Sequence, residues 1–158
     1  RRMSVVWPRG HRAEHIEHNS ESAWMLLPNE PCVLLRRFSP KEDVRRVCAA
    51  AYVAELPAAF IGCENHLNVI RGGERPLSRL AALGLAAYLN SSVVDAYLRQ
   101  RLGSTQVNAI ELRELPVPDL ATLQALGQSL PDTRTLAELD AAVAAVCDRA
   151  AASCVQAA

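Results

Sequence analysis

Residues 60–92 read FIGCENHLNVIRGGERPLSRLAALGLAAYLNSS, and this stretch contains the change of pattern that decides the fold. Before the Gly72-Gly73 pair, two short apolar runs at 60–63 and 66–70 predict strands joined by a polar turn. After the pair, apolar residues recur at helical spacing and predict a helix: Leu80, Leu83, Ala87, Tyr88 and Leu98. Strands followed by helices in this order are typical of an α+β fold.

Further strands are predicted upstream of this stretch, each an apolar run near turn-forming residues. They are Ser4–Trp7, Ala23–Leu27, Cys32–Phe38 and a segment near Arg46–Val53. The alanines in the last segment also suit a helix, and that alternative stays open at this point. We therefore predict an α+β fold with a mixed β-sheet in the N-terminal part, followed by packed helices.

Downstream, a helix is predicted over Pro76–Arg101, with Gly103 as its C-terminal stop. The polar residues at 90–92 are expected to interrupt it, because Ser92-x-x-Asp95 has the spacing of a new N-terminal cap. The predicted order is therefore one helix, a break and a second helix.

The end of the chain is also expected to be helical. Two prolines make 115–118 a rigid extended segment. Thr135-x-x-Glu138 then has the spacing of a capping box for a last helix, Leu136–Val155. We predict an α+β recognition domain over 1–118 and a C-terminal helical segment over 119–158, packed on that domain or on a catalytic domain.

The composition is that of a globular protein. The chain has 158 residues, of which 50% are apolar and 22% charged, enough for one domain with a real core. No stretch approaches the roughly 18–20 uninterrupted apolar residues of a membrane span. The chain opens Arg1-Arg2-Met3-Ser4 without a secretory leader, and we expect a piece of a longer cytoplasmic protein.

Cysteine usage agrees with a reducing compartment. The five cysteines form no C-x-x-C pair and are odd in number: Cys32, Cys48, Cys63, Cys147 and Cys154. A disulfide framework or a structural zinc site is therefore not expected, and the thiols are predicted to act as small apolar side chains.

Charge is distributed unevenly although it sums to zero. Residues 1–101 carry 14 Arg/Lys and 10 Asp/Glu, whereas residues 102–158 carry 3 and 7. All but one of the 17 basic residues are arginine, the type suited to bidentate contact with phosphate or guanine. A high genomic GC content would also favour arginine, so charge alone does not identify a nucleic-acid partner.

One cluster suggests an enzyme. His11-x-x-x-His15-x-x-His18 could place three imidazoles on one helix face for a transition metal, but it lacks the order of a H-E-x-x-H site. A solvated turn and a nucleic-acid or partner contact are the other two interpretations. The sequence has no G-x-S-x-G, Walker or dinucleotide motif, so we predict no catalytic and no metal-binding residues.

Three polar patches instead favour recognition. The first lies at a strand end where DNA phosphates could be met: Arg36, Arg37, Lys41, Arg45 and Arg46. Its alternative is a solvated charged turn.

The second patch alternates polar and apolar residues and suits either base-edge contacts or internal strand-end hydrogen bonds: Asn65, His66, Asn68 and Arg71. The third is an uncharged loop: Ser104, Thr105, Gln106 and Asn108. Gln and Asn can bond adenine bidentately, whereas an Asx-type turn would use these side chains for its own backbone.

Five motifs in sequence order carry a family resemblance: RRFSPKE (36–42), ENHLN (64–68), GLAAYLNS (84–91), GSTQVNA (103–109) and LRELPVP (112–118). Over roughly residues 32–120 the chain resembles the C-terminal part of type II restriction–modification adenine-specific N6 DNA methyltransferases, the region related to the TaqI-like specificity domain. It is also similar to target-recognition domains of multi-subunit restriction systems.

The resemblance implies that all thirteen patch residues bind double-stranded DNA. Such enzymes hold S-adenosylmethionine in a Gly-rich loop and the flipped adenine at an Asn/Asp-Pro-Pro-Tyr/Phe motif, and this sequence has neither. The implied partner is an N-terminal catalytic methyltransferase domain, which would bind S-adenosylmethionine, and no cofactor is expected on this chain. The rival interpretation is a protein-interaction module whose helix faces bind another subunit.

Overall fold

The computed structural model describes residues 5–7, 10, 14–130 and 135–156. Five strands form two small sheets, and a 3₁₀ turn, Ala23–Met25, precedes the first strand. The strands are β1 Leu26–Pro28, β2 Cys32–Arg36, β3 Ala49–Tyr52, β4 Phe60–Gly62 and β5 Leu67–Ile70. β1 pairs with β4, and the second sheet has the order β3-β2-β5.

The predicted α+β class is confirmed, but the predicted mixed sheet is wrong. All three strand pairs are antiparallel. No helix longer than the 3₁₀ turn lies between β1 and β5, and a parallel pair would need such a crossover. The strand predicted at Ser4–Trp7 is also wrong for residues 5–7, which are irregular, while Ser4 lies outside the described residues.

The helices follow the strands, as predicted. They are α1 Arg79–Leu89, α2 Ser92–Arg101, α3 Ala109–Arg113, α4 Leu120–Ser129 and α5 Leu136–Gln156. The predicted interruption between α1 and α2 is confirmed, but Ser91 rather than Ser92 is the N-cap of α2. The predicted capping box of α5 is confirmed, because Thr135 and Glu138 exchange hydrogen bonds of 2.8 and 3.2 Å.

One core joins the β3-β2-β5 sheet to the helices. Buried side chains from β2, α1 and α2 pack in the same cluster as those of α4 and α5, which include Leu126 and Val143. The predicted boundary at 118/119 falls between α3 and α4, and α4 packs directly on α1. The start of the C-terminal segment therefore completes the core of the part that precedes it.

Helices α1 and α4 cross at backbone contact. A Cβ placed on Gly84 would lie 1.8 Å from the carbonyl oxygen of Leu123, and one on Gly127 would lie 2.0 Å from that of Leu80. Gly84 and Gly127 thus face each other where the two helix backbones meet. The crossing fixes α1 against the core and leaves its C-terminal end beside β3.

The end of α1 is fastened to β3 by one side chain. Asn90, the C-cap residue, is 4% exposed, and its amide bonds both peptide groups of Ala49. Its Oδ1 accepts from the Ala49 N–H at 3.1 Å, and its Nδ2 donates to the Ala49 carbonyl at 2.8 Å and to the Ala86 carbonyl at 2.6 Å. The Asn90 amide therefore occupies the place of a neighbouring strand at the edge of β3.

Cys32 and Cys63 lie in one apolar cluster and form no disulfide bond. Cys32 is buried, and desolvation raises the pKa of its thiol to about 11, with the nearby Cys63 adding to the rise. Folding raises this pKa, so the protonated Cys32 thiol contributes to the free energy of unfolding. That contribution is complete below the ordinary pKa of 9.0 and is lost as pH rises through about 11.

We expect the urea midpoint to fall between about pH 8.5 and about pH 10.5 by more in the wild type than in Cys32→Val, since only the wild type titrates this thiol. An equal fall in both proteins would contradict the assignment of the alkaline sensitivity to Cys32.

Candidate nucleic-acid interface

A short antiparallel bridge joins the end of β2 to the loop 103–108. Phe38 and Gln106 are opposite each other, flanked by two backbone hydrogen bonds of 2.8 Å, from Ser39 N–H to the Thr105 carbonyl and from Val107 N–H to the Arg37 carbonyl. This pattern places Phe38 and Gln106 in a non-hydrogen-bonded pair, whose side chains share one face. Ser39 and Val107 point inward and are buried, so Phe38 and Gln106 point outward.

The second predicted patch lies next to the bridge between Phe38 and Gln106. Arg37 N–H donates to the His66 carbonyl at 2.7 Å, and Asn68 Nδ2 donates to the Val107 carbonyl at 2.7 Å. The His66 ring meets the Phe38 ring edge-on, with centroids 5.2 Å apart. Three patches that are separated by some 20 to 40 residues in sequence therefore converge on one surface, which we call the recognition surface: residues 36–38, 64–68 and 104–106.

The loop uses some of its polar side chains internally. Ser104 Oγ bonds the backbone of Gln106 in both directions at 3.2 Å, which is the internal turn foreseen as the alternative interpretation. Asn108 is the N-cap residue of α3, but its amide bonds Glu111 at 3.3 Å rather than the helix backbone. Thr105 is exposed, and the side-chain amide of Gln106 has no hydrogen-bond partner within the described part of the chain.

Two of the five predicted phosphate-binding cations have partners within the chain itself. Arg46 is 2% exposed and donates from its guanidinium to the Ser104 carbonyl at 2.7 Å. Arg45 is paired with Asp140 of α5 at 2.6 Å, and Asp140 also accepts from the N–H of Ser92 at 2.6 Å. Because both guanidinium groups bond the protein itself, Arg46 supports the loop and Arg45 ties the segment after β2 to α5.

The other predicted cations are more accessible. Arg36 is exposed and paired with Asp43, and Lys41 is exposed with no ion pair for its ammonium among the described residues. Arg37 is half-buried, and its Nε is buried without a partner in the same part of the structure. Arg71 directly follows β5 and forms an ion pair with Glu30 at 3.1 Å. Of these more accessible cations, Arg37 and Lys41 are thus the two that have no ion pair among the described residues.

In the second patch, His66 and Asn65 are exposed, whereas Asn68 is half-buried and holds the loop through its bond to Val107. Glu64 forms an ion pair with His66 when the imidazole is protonated. Asn65 makes no side-chain hydrogen bond within the described residues. The patch therefore divides into one structural amide, Asn68, and two accessible polar groups.

Two residues of α2 that were not predicted to belong to the site hold the basic segment in place. Arg99 of α2 donates to the carbonyls of Lys41 at 2.9 Å and Asp43 at 2.6 Å. Asp95 accepts from the Arg99 Nε at 2.8 Å and from the Arg46 N–H at 2.6 Å. The i, i+4 spacing of Asp95 and Arg99 was the available signal, but it indicates only a helix pair and not its contacts with 41–46.

The histidine cluster is not brought together in the described region. His15 contacts the Trp7 ring with centroids 5.4 Å apart, and His18 contacts Phe60 at 4.5 Å. His11 lies outside the described residues. Among the residues that are described, no group of three or more His, Cys, Asp or Glu could hold a metal ion. Within the same ranges, no helix has the length and apolar character needed to cross a membrane.

Comparison with known proteins identifies two similar sequences. The chain is 35% identical over 126 residues to type II methyltransferase M.PstI of Providencia stuartii, covering 78% of this chain and 25% of that protein. It is 40% identical over 114 residues to type II methyltransferase M.BsuBI of Bacillus subtilis, covering 72% of this chain and 23% of that protein. No family model and no solved structure matches. The chain spans about a quarter of the length of these relatives and is related to that part of a type II methyltransferase.

Proposed function

We propose that this chain is the DNA-recognition region of a site-specific adenine-N6 DNA methyltransferase of the restriction–modification type, similar to a TaqI-like specificity domain. The observation that supports it most directly is the convergence of three polar patches on the recognition surface, around the bridge between Phe38 and Gln106. The relatives supply the enzyme class, since both are type II methyltransferases.

Methyl transfer is assigned to another part of the protein. This sequence contains neither a Gly-rich S-adenosylmethionine loop nor an Asn/Asp-Pro-Pro-Tyr/Phe motif, so its residues do not fit the cofactor or the flipped adenine. The proposed partners are double-stranded DNA and a catalytic methyltransferase domain of the same cytoplasmic polypeptide. That domain would bind S-adenosylmethionine, and the present chain would select the site.

The accessible groups divide into two roles. Gln106, Thr105 and Asn65 would contact base edges, because their side chains are uncharged and have no internal partner. Arg37 and Lys41 would contact phosphates. Arg36 would also contact a phosphate, after its ion pair with Asp43 is broken. The Asn68 amide and the Arg46 guanidinium hold the loop in position, and the Asn108 amide bonds Glu111 in α3.

Gln106→Ala should relax sequence discrimination at one base pair. A bidentate Gln–adenine contact contributes about 1–3 kcal/mol of discrimination, so we expect a loss of roughly 5- to 150-fold at that position. Arg37→Ala should weaken binding to all sequences and lower the slope of log affinity against log salt concentration by about 1.

The measurement is expression of the whole gene in a host free of adenine methylation, with N6-methyladenine mapped by long-read sequencing. The wild type should methylate one motif, Gln106→Ala a relaxed motif, and Arg37→Ala the same motif less completely. Salt-dependent binding of the purified proteins gives the slope. If both variants reduced methylation identically at every sequence, the division into base and phosphate contacts would be wrong.

A subunit-docking module is the second candidate function. It is favoured by exposed apolar side chains near the β1–β4 sheet, above all Trp24, which is 81% exposed. Ile16 lines one groove with Met25 and another with Phe60. Such a module would show no salt-dependent DNA affinity, and Trp24→Ala would reduce its subunit association while Gln106→Ala left methylation unchanged.

A further inference from the structure

Phe38 is an aromatic side chain kept at the surface by the backbone. It is 37% exposed although apolar, and the bridge to the loop 103–108 fixes its position on the recognition surface. Its ring rests edge-on against His66, so its orientation is also restricted. An apolar ring held in this way loses little conformational entropy when it meets a partner.

Gln106, which lies opposite Phe38, indicates which chemical group Phe38 would contact. Phe38 and Gln106 form a cross-strand pair on one face, and side chains so paired have Cβ atoms about 4.5–5.5 Å apart. Base pairs stack at about 3.4 Å, so two such side chains reach the same or adjacent base pairs in the major groove. There an amide matches the N6 and N7 edge of adenine, and an apolar side chain matches the C5 methyl group of thymine.

We propose that Phe38 is a specificity-determining residue that contacts a thymine C5 methyl group, in the base pair bonded by Gln106 or in the one beside it. This inference rests on the proposed DNA-recognition function and names one base, thymine, that the chain would recognise. The ring and the amide together would select an adenine and a thymine methyl group at neighbouring positions.

The test replaces each thymine of the mapped site with deoxyuridine, one position at a time, which removes only the methyl group. Affinity of the full-length protein is measured by fluorescence anisotropy. We expect one replacement to weaken wild-type binding about three- to tenfold. Phe38→Ala should bind the thymine duplex as weakly as the wild type binds that deoxyuridine duplex, with no further loss on deoxyuridine.

Phe60→Ala is the matched control. Phe60 is the other phenylalanine of the chain, is 42% exposed and also rests on a histidine, but it lies on β4. It should keep the full preference for thymine. Phe38→Leu should keep part of it, because leucine is still apolar, and circular dichroism with thermal unfolding should match the wild type for both Phe38 variants.

Three outcomes would overturn the assignment of Phe38. The first is a wild type that discriminates the mapped site from unrelated DNA but is insensitive to every deoxyuridine replacement. The second is a Phe38→Ala variant that keeps the thymine preference. The third is unstacking of a 2-aminopurine base placed in the site, seen as a rise in its fluorescence with the wild type but not with Phe38→Ala. That result would mean that Phe38 intercalates between base pairs. Equal binding of site and unrelated DNA would instead reject the proposed function itself.

Discussion

Gly84→Ala is expected to lower the free energy of unfolding by about 2 kcal/mol, a fall in Tm of roughly 4–8 °C for a chain of this size. The new Cβ would lie 1.8 Å from the Leu123 carbonyl oxygen and 2.8 Å from its carbon. Both atoms belong to a helix backbone, so no side-chain rotation relieves the overlap. α1 and α4 must separate, which costs about 3 kcal/mol, whereas alanine's better helix propensity returns about 1 kcal/mol.

The control for Gly84 is Gly73→Ala, since a Cβ at Gly73 would meet no atom within 4 Å. Thermal unfolding followed by circular dichroism should show little change for that variant. Gly127→Ala should resemble Gly84→Ala, because its Cβ would lie 2.0 Å from the Leu80 carbonyl oxygen. The double variant should lose less than the sum of the two, since one separation of the helices accommodates both methyl groups. Additive losses would show that the two glycines act independently.

Asn90→Leu is expected to lower the free energy of unfolding by about 2–6 kcal/mol. The Arg36 N–H bonds the Cys48 carbonyl at 3.0 Å, so the next residue, Ala49, directs its own N–H and carbonyl away from β2 and toward Asn90. Leucine has a similar size but no polar atom. Both peptide groups of Ala49 would stay buried without partners, at about 1–3 kcal/mol each.

Urea denaturation measures the total loss for Asn90→Leu, and native-state hydrogen exchange locates it. The Ala49 amide should lose protection first, ahead of the amides shared between β2 and β5. Asn65→Leu is the control, because Asn65 is exposed and its amide has no partner among the described residues. A wild-type exchange rate at Ala49 in Asn90→Leu would contradict the bonding role of this side chain.

Much of the architecture followed from local sequence pattern. The apolar runs predicted β2, β4 and β5 to within two residues, because strand ends are marked here by Pro, Gly and polar turns. The five-residue helix α3 was missed, since it is too short for a helical period to be recognised in the sequence. The antiparallel pairing was also missed, although the segments between β1 and β5 contain no helix of the kind that a parallel crossover needs.

The candidate site was less predictable than the fold. Arg46 and Arg37 have the same chemistry in the sequence, but one is buried against the Ser104 carbonyl and the other is half-exposed on the recognition surface. Asn90 was expected only to interrupt a helix, and its bonds to Ala49 depend on an approach of residues 41 positions apart. Phe38 was part of a quoted motif, but its place beside Gln106 required the tertiary bridge. Burial and long-range pairing decide these roles.

The bridge that presents Phe38 and Gln106 has a consequence for how such a protein diversifies. The two hydrogen bonds of the bridge involve only main-chain groups of residues 37, 39, 105 and 107. Exchange of the outward side chains at 38 and 106, or of the exposed side chain at 105, leaves both bonds in place. Natural variation, or a designed library at these three positions, can therefore alter the chemistry offered to a partner while the frame that carries it is inherited unchanged.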